Sequence, residues 1–281
     1  MTPGFHYRIN WRSARFHPGS HRSQQGGDGH EFQGYQPLQH LTHPRHLDLR
    51  ASLRDPHGQY QVRCFRQSST IAVHLLADVS ASMLSPPKLD ILTHFAASLA
   101  GAARQIGDSF GLLAADAEVR TELCQPGGYW HGGLDAWRLA VDQVRPSRHS
   151  ARGLADLAAL MSPQRALVFV LSDFHCPLAD ITRLRQSLAR HDVVPVVVWE
   201  LPPHAGLSDY RLVYWQEPES GERRRYWLRP ALRAGFEAAY QERRRQLTAL
   251  FSAWGRLPLF LSGHFDPDRV TAYFYQDGGE A

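Results

Sequence analysis

Apolar residues follow two spacings from Ile71 onward. Continuous apolar runs at residues 71–76, 166–171 and 193–199 have the length and the β-branched content of strands that are buried on both faces. After the first run, apolar residues recur every three or four positions, which predicts one stripe of an amphipathic helix: Leu89, Leu92, Phe95, Ala96, Leu99, Ala103 and Ile106. Alternating apolar strands and amphipathic helices predict an α/β fold with a doubly wound, mostly parallel sheet.

Shorter patterns complete this central region. Residues 109–116 and 118–123 are typical of a strand pair, and three further segments have helical spacing: 134–144, 154–161 and 178–189. After residue 204 the patterns predict two short strands within residues 210–228, a long helix over 230–254, a strand at 257–261 and a helix at 266–274.

The chain is expected to have three segments. Residues 1–66 are rich in Gly, Ser, Gln and His, which predicts a wrap-around extension of loops and short strands. Residues 67–204 form the α/β domain, and residues 205–281 form a C-terminal extension whose hairpin and long helix pack on that domain.

Composition limits the class of protein. Hydrophobic residues make up 43% of the 281 residues and charged residues 21%, which is ordinary for a globular protein and argues against disorder. No apolar run is long enough for a membrane span, and the first residues contain no apolar region of the kind found in secretory signals. Three cysteines without paired spacing favour a reducing compartment, so we expect a cytoplasmic location.

Arginine dominates the positive charge. The net charge is +4, and the densest runs are "ERRRY" at 222–226 and "ERRRQ" at 242–246. Nucleic-acid binding is an open alternative if these arginines lie beside exposed aromatic rings, since bases stack on such rings. The candidate rings are Tyr210, Tyr214, Trp215, Tyr226 and Trp227. A small net charge with interspersed acids is more often a solvated face, so we do not expect nucleic acid as the partner.

Polar side chains follow two of the apolar strands at the point where each strand ends. Asp78, Ser80 and Ser82 follow the first strand, and Asp173 follows "ALVFVLS". Because ligands collect at the carboxyl ends of parallel strands, the two aspartates are expected to converge on one crevice. Carboxylate and hydroxyl oxygens suit Mg²⁺ or Mn²⁺. Ser and Asp are also ordinary turn and capping residues, so the D-x-S-x-S motif alone leaves capping and metal binding open.

The combination of "HLLADVSASM" with "FVLSDF" resembles a von Willebrand factor A-type domain with a metal-ion-dependent adhesion site. Upstream, "GSHRSQQGGDGHEFQGYQPL" and "HLDLRASLRD" resemble one family in particular, the domain of unknown function family 58. Its members, the MxaS-like proteins among them, accompany MoxR-type AAA+ ATPases. The resemblance extends from about Gly19 to Leu201 and implies a von Willebrand A-like, Rossmann-type fold.

The resemblance also implies a function. Asp78, Ser80, Ser82 and Asp173 would hold Mg²⁺ or Mn²⁺, and a partner's carboxylate would fill the open position. The family pattern includes a threonine in a loop between these motifs, whereas residues 147–160 contain none; Ser150 is the nearest hydroxyl. The expected function is a metal-assisted interaction module, an adaptor for a MoxR-type AAA+ ATPase in maturation or metal insertion of a client protein.

An enzymatic alternative comes from the same aspartate. Phosphohydrolases present a nucleophilic Asp at the end of the first strand, but they place a second carboxylate two residues later, where this chain has Ser80. They also need a lysine, for which Lys88 is the candidate near the motif. Adjacent His175 and Cys176 are a poor nucleophile pair, since catalytic pairs usually meet through the fold. No G-x-S-x-G, H-E-x-x-H or Walker A motif is present, so we do not expect an enzyme.

Overall fold

The computed structural model describes residues 4–11, 13, 18–27, 31–38, 46–128, 134–144, 152–199, 210–216 and 223–276. These residues cluster into two compact units. The inserted unit comprises residues 9–71 and 106–108, and the sheet unit comprises residues 1–8, 72–105 and 109–281, each as far as described.

The inserted unit is a small antiparallel sheet with one short helix. Its elements are β1 (Pro18–Gly27), β2 (Glu31–Pro37), α1 (Leu49–Leu53) and β3 (Gln61–Ser69). The strand order is β1-β3-β2. Asp48 caps α1, because its side chain accepts hydrogen bonds from the backbone N–H groups of Arg50 and Ala51, both at 3.0 Å.

The sheet unit is built on six strands in the order β11-β8-β7-β4-β5-β6. The strands of this unit are β4 (Ala72–Asp78), β5 (Ser109–Ala115), β6 (Gln125–Gly128), β7 (Leu167–Ser172), β8 (Asp192–Val198), β9 (Arg211–Gln216), β10 (Arg223–Leu228) and β11 (Leu259–Leu261). Pairing is parallel from β11 to β5, β6 is antiparallel to β5, and β9 and β10 form a separate hairpin. The predicted doubly wound, mostly parallel α/β fold is confirmed.

Helices surround this sheet. They are α2 (Pro86–Ile106), α3 (Asp135–Gln143), α4 (Leu178–Ser187), α5 (Pro230–Ser252) and α6 (Pro267–Gln276), with 3-10 helices at Thr121–Leu123 and Arg152–Leu160. Strands β4 and β7 are buried at every position, as expected for strands covered on both faces. Among the described residues, no helix combines the length and apolar character that a membrane crossing needs.

An aromatic cluster forms much of one side of the core. The ring centroids of Phe5 and Phe95 are 5.4 Å apart, and those of Phe95 and Phe169 are 5.6 Å apart. Phe265 lies 6.4 Å from Phe5, and Phe274 of α6 lies 6.0 Å from Phe169. Residues from both ends of the sheet unit's sequence therefore pack against the central strands.

Two segments of the structure differ from the elements predicted for them. Residues 118–123 make one β-bridge, at Val119, and then a 3-10 turn, while β6 supplies the strand that pairs with β5. The turn is stabilised because Leu123 is fully buried and its carbonyl accepts a hydrogen bond from the indole of Trp137 at 3.0 Å. Residues 154–161, predicted as helical, lie mainly in the 3-10 helix Arg152–Leu160.

Candidate metal centre

Two of the predicted site residues meet at the carboxyl edge of the sheet. Strands β4 and β7 are neighbouring and parallel, with Ala77 beside Leu171, so both chains leave the sheet at the same place. Asp78 is the last residue of β4, and Asp173 directly follows β7; their exposed fractions are 1% and 2%. The hydroxyl of Ser172 donates a hydrogen bond to Oδ2 of Asp78 at 2.5 Å, which ties the two strand ends together.

The two serines of the motif lie in the turn between β4 and α2. The backbone N–H of Ser80 donates to Oδ1 of Asp78 at 2.9 Å, and the hydroxyls of Ser80 and Ser82 are 3.2 Å apart. The N–H of Met83 donates to the Ser80 carbonyl at 3.0 Å, which closes the turn before Pro86 begins the helix. Both serines are buried, so the turn directs hydroxyl oxygens inward beside the Asp78 carboxylate.

A lysine completes the cluster. Lys88 lies in the first turn of α2, and its Nζ donates to Oδ2 of Asp173 at 2.8 Å. Both side chains are buried, at 7% and 3% exposure. From the sequence, Lys88 is a candidate only for an enzymatic site, and its contact with Asp173 is a finding of the structure.

The electrostatics of the two aspartates differ. Burial raises the pKa of Asp78 to about 7, and the negative charge of Asp173 adds to this rise, while hydrogen bonds from Ser172 and Ser80 oppose it. Burial also acts to raise the pKa of Asp173, but His175 and Lys88 outweigh it, so that this pKa is lowered. Asp173 is therefore ionised beside Lys88, and Asp78 is the carboxylate whose charge an additional cation would stabilise.

The loop that carries Asp173 is held from α5. Phe174 has a positive φ of 51°, which only a few non-glycine residues adopt. Its N–H donates to the Ser172 hydroxyl at 2.9 Å, and one guanidinium nitrogen of Arg243 donates to the carbonyls of Phe174 and Cys176, both at 2.6 Å. Burial, followed by the charge of the nearby Asp78, raises the pKa of Cys176 to about 12. A thiol in that state is a poor nucleophile, which disfavours a His–Cys catalytic pair.

A third loop follows β5, whose last residue, Ala115, lies beside Asp78 in the sheet. Asp116 is fully buried, and its carboxylate accepts hydrogen bonds from the Arg120 guanidinium, including one at 3.0 Å. Gly153 donates its N–H to the Asp116 carbonyl at 3.0 Å. A Cβ atom at residue 153 would lie 2.8 Å from that carbonyl oxygen, so the close approach requires glycine. Ser150, the predicted substitute for the family's threonine, lies outside the described residues.

The donor set fits a hard divalent cation. Asp78, Asp173, Ser80 and Ser82 provide carboxylate and hydroxyl oxygens, the ligands that Mg²⁺ and Mn²⁺ prefer. Within the described part of the chain, no group of three or more His, Cys, Asp or Glu side chains is arranged to hold a metal ion. The candidate centre is therefore a mixed set of two carboxylates and two hydroxyls, in which an internal ammonium binds one of the two buried acids.

The arginines of the second run contact other residues of the sheet unit. In the second run Arg243 binds the loop after β7, Arg244 lies 4.7 Å from the ring centroid of Phe260, and Arg245 pairs with Glu242. Among the proposed base-stacking rings, Tyr210 and Trp227 are exposed, whereas Tyr226 is half-buried with its centroid 5.8 Å from that of Phe236. The side chains of Tyr214 and Trp215, the other two candidate rings, lie outside the described residues.

Fold and site together define an α/β protein with a buried carboxylate–hydroxyl cluster at the carboxyl edge of a parallel sheet. The chain belongs to the protein family of unknown function DUF58, whose model matches residues 37–246, about three quarters of the chain. It is similar to the uncharacterized proteins Rv1480 of Mycobacterium tuberculosis and Mb1516 of Mycobacterium bovis. Each is 27% identical over 220 residues, which is 76% of this chain and 68% of the relative.

Two solved structures are similar to this chain over about three quarters of its length. One is an aerotolerance-related membrane protein from Bacteroides fragilis carrying multiple mutations to serine, with a TM-score of 0.44 and 15% identity over 74% of this chain and 98% of that one. The other is the conserved hypothetical protein BatB from Bacteroides thetaiotaomicron, with a TM-score of 0.41 and 14% identity over 75% of this chain and all of that one. At these TM-scores the similarity carries no information about function.

Proposed function

We propose that this protein is a metal-assisted protein-interaction module. One observation carries the proposal: Asp78, Ser80, Ser82 and Asp173, distant in sequence, are buried side by side at the end of two neighbouring parallel strands. These residues would hold Mg²⁺ or Mn²⁺, and the ion would supply a positive charge that attracts a carboxylate from a partner. The chain's own residues orient the oxygens and exclude water from them.

The partner proposed for this module is a MoxR-type AAA+ ATPase. This part rests on the resemblance of the two motifs to the von Willebrand A-type adhesion site and to the MxaS-like proteins. The ATPase would supply energy, and this chain would recognise a client protein during maturation or metal insertion. The three cysteines without paired spacing support a cytoplasmic location.

Exposed apolar side chains on the hairpin and α5 support an interaction role. Tyr210 and Leu212 at β9, Trp227 on β10 and Phe236 on α5 are 38–66% exposed. Leu212 and Trp227 are cross-strand partners and therefore share one face of the hairpin, and exposed apolar side chains grouped in this way are typical of surfaces that bind other proteins. Residues 230–241 of α5 are exposed or half-buried throughout, so this half of the helix is available for contact.

A pull-down tests this function. The tagged protein is incubated with lysate in Mg²⁺ and in EDTA, next to Asp78→Asn, which keeps the shape of the side chain, and Asp90→Asn, which changes an exposed carboxylate on α2. We expect an AAA+ ATPase to co-purify with the wild type and Asp90→Asn in Mg²⁺ only. Co-purification that is independent of both Mg²⁺ and Asp78 would support the adaptor role and refute the participation of a metal ion in it. Absence of any ATPase in all samples would refute the adaptor role.

A second candidate function is a phosphohydrolase-like activity, favoured by the position of Lys88. Its ammonium, 2.8 Å from Asp173, meets the requirement for a lysine beside the strand-end carboxylates. Ser80, however, stands where such enzymes need a second carboxylate. Hydrolysis of p-nitrophenyl phosphate in Mg²⁺, lost in Asp78→Asn, would support this alternative; no turnover above the Asp78→Asn control would count against it.

A further inference from the structure

We propose that Lys88 is a built-in competitor for the metal: its ammonium neutralises Asp173 when no metal is bound, and a divalent cation must displace it. This inference rests on the proposed metal-binding function and adds a regulatory element to the same site. Three observations support it: the contact itself, the choice of residue and the position of that residue in its helix.

The contact places the ammonium where a metal ligand is needed. Asp173 Oδ2 accepts from Lys88 Nζ at 2.8 Å, while its other oxygen accepts from the N–H of His175 at 3.1 Å. A metal ion that binds Asp173 through Oδ2 would bring a second positive charge next to the ammonium. Two like charges at contact distance in a buried site repel strongly, so the metal and the ammonium exclude each other.

The residue type is unusual for this chain. The sequence contains thirty arginines and a single lysine, Lys88. Another strongly buried ion pair of the sheet unit uses arginine: Arg256 binds both oxygens of Asp192, at 2.7 and 2.9 Å. A guanidinium holds a carboxylate by such a two-point fork, whereas an ammonium is a compact point charge on a flexible stem. The ammonium is closer to a metal ion as a compact point charge, and it has no two-point fork to break when its stem rotates away.

The position of Lys88 in α2 is unfavourable for a cation. The first turn of a helix carries a partial positive charge, and this turn contains no acidic residue. Burial adds a desolvation cost, since the lysine side chain is only 7% exposed. The ion pair with Asp173 compensates for both costs. Once a metal neutralises Asp173, this compensation is lost and the ammonium is expected to leave for solvent.

The variant Lys88→Met tests the exchange by removing the ammonium and keeping an unbranched stem. In EDTA it leaves the buried Asp173 carboxylate without this cation, so we expect a lower melting temperature that Mn²⁺ restores. Calorimetric titration should show Mn²⁺ binding at least about tenfold tighter than in the wild type, because one charge-assisted hydrogen bond no longer competes. Arg256→Met is the matched control: it removes a buried ion pair at Asp192 and should lose stability that Mn²⁺ does not restore.

Chemical modification gives a second test on the wild-type protein. Lys88 and the terminal α-amino group are the only primary amines, so the number of methyl groups added by reductive methylation, read by mass spectrometry, reports directly on Lys88. We expect the amine of Lys88 to be protected in EDTA and modified in saturating Mg²⁺. This measurement decides the question even if Lys88→Met does not fold.

The outcomes separate the two proposals. Equal Mn²⁺ affinity in the wild type and Lys88→Met, with Lys88 protected in Mg²⁺, would overturn the competition and leave the metal-binding function standing. Absence of Mn²⁺ binding in both proteins would overturn the competition together with the metal-assisted function. Tighter binding in Lys88→Met, with loss of protection in Mg²⁺, supports both.

Discussion

The contact between α5 and the loop after β7 gives the sharpest prediction about stability. Arg243 is half-buried, and one of its guanidinium nitrogens donates to two carbonyls, those of Phe174 and Cys176, at 2.6 Å each. Arg243→Met keeps most of the apolar stem and removes both hydrogen bonds. The carbonyls then lose a charged donor in a loop whose Phe174 already has a left-handed backbone conformation.

The expected cost follows from these two bonds. A hydrogen bond to a charged group contributes about 1.5–3 kcal/mol, and water can replace part of it at a half-buried position, so we expect the free energy of unfolding to fall by about 2–4 kcal/mol. Arg245→Met is the matched control, two residues further along α5. Its side chain is 79% exposed and its ion pair is with Glu242, so the expected cost is below about 0.5 kcal/mol.

Urea denaturation followed by tryptophan fluorescence measures the difference between the two variants. The midpoint of Arg243→Met should lie well below those of the wild type and Arg245→Met, with an unchanged slope. Because the braced loop carries Asp173, Mn²⁺ affinity should also fall in Arg243→Met and not in Arg245→Met. Equal midpoints for the two variants would refute the role assigned to this contact.

Three further predictions concern other parts of the chain. Phe169→Ala, in the aromatic cluster, should cost about 3–5 kcal/mol in thermal or chemical unfolding, and a loss below about 1 kcal/mol would mean that the cluster is not packed as described. Gly153→Ala should destabilise by about 1–3 kcal/mol because its Cβ would meet backbone at 2.8 Å, whereas Gly101→Ala, in open space on α2, should stabilise by about 0.5–1 kcal/mol; the same sign for both would contradict the close approach. The α1 backbone N–H groups, together with a neighbouring arginine, lower the pKa of Asp48 from 3.8 to about 2, so its contribution to stability is present above pH 4 and is lost as the pH falls toward 2. Asp48→Asn should remove this acid-dependent part of an unfolding titration, and an unchanged acid limb in the variant would count against it.

The main strands and the predicted motif residues could be read from the sequence. Strands β4, β7 and β8 are predominantly apolar, and such runs between helical stripes have few arrangements other than a parallel sheet. The convergence of Asp78 and Asp173 followed from this arrangement alone, since both residues end neighbouring strands. Local patterns were therefore sufficient wherever the site depends on strand ends.

The surroundings of the site could not be predicted in the same way. Lys88 lies close in sequence to Asp78, but its partner is Asp173, and no spacing rule connects a helical lysine with a residue 85 positions later. Arg243 belongs to a run that was interpreted as a solvated or nucleic-acid-binding face, yet it holds the loop of Asp173 from another helix. Such contacts depend on how helices pack on the sheet, which a single sequence does not specify.

The position of Phe5 has a consequence for synthesis on the ribosome. This residue is 1% exposed in the sheet unit, where its ring packs against Phe95, Phe169 and Phe265. It is translated before the whole inserted unit, while Phe265 is translated 260 residues after it. At a translation rate of about 5–20 residues per second, more than about ten seconds pass between the synthesis of Phe5 and that of Phe265. Phe95 and Phe169 are synthesised earlier than Phe265, but the aromatic cluster around Phe5 is complete only after Phe265 has left the exit tunnel.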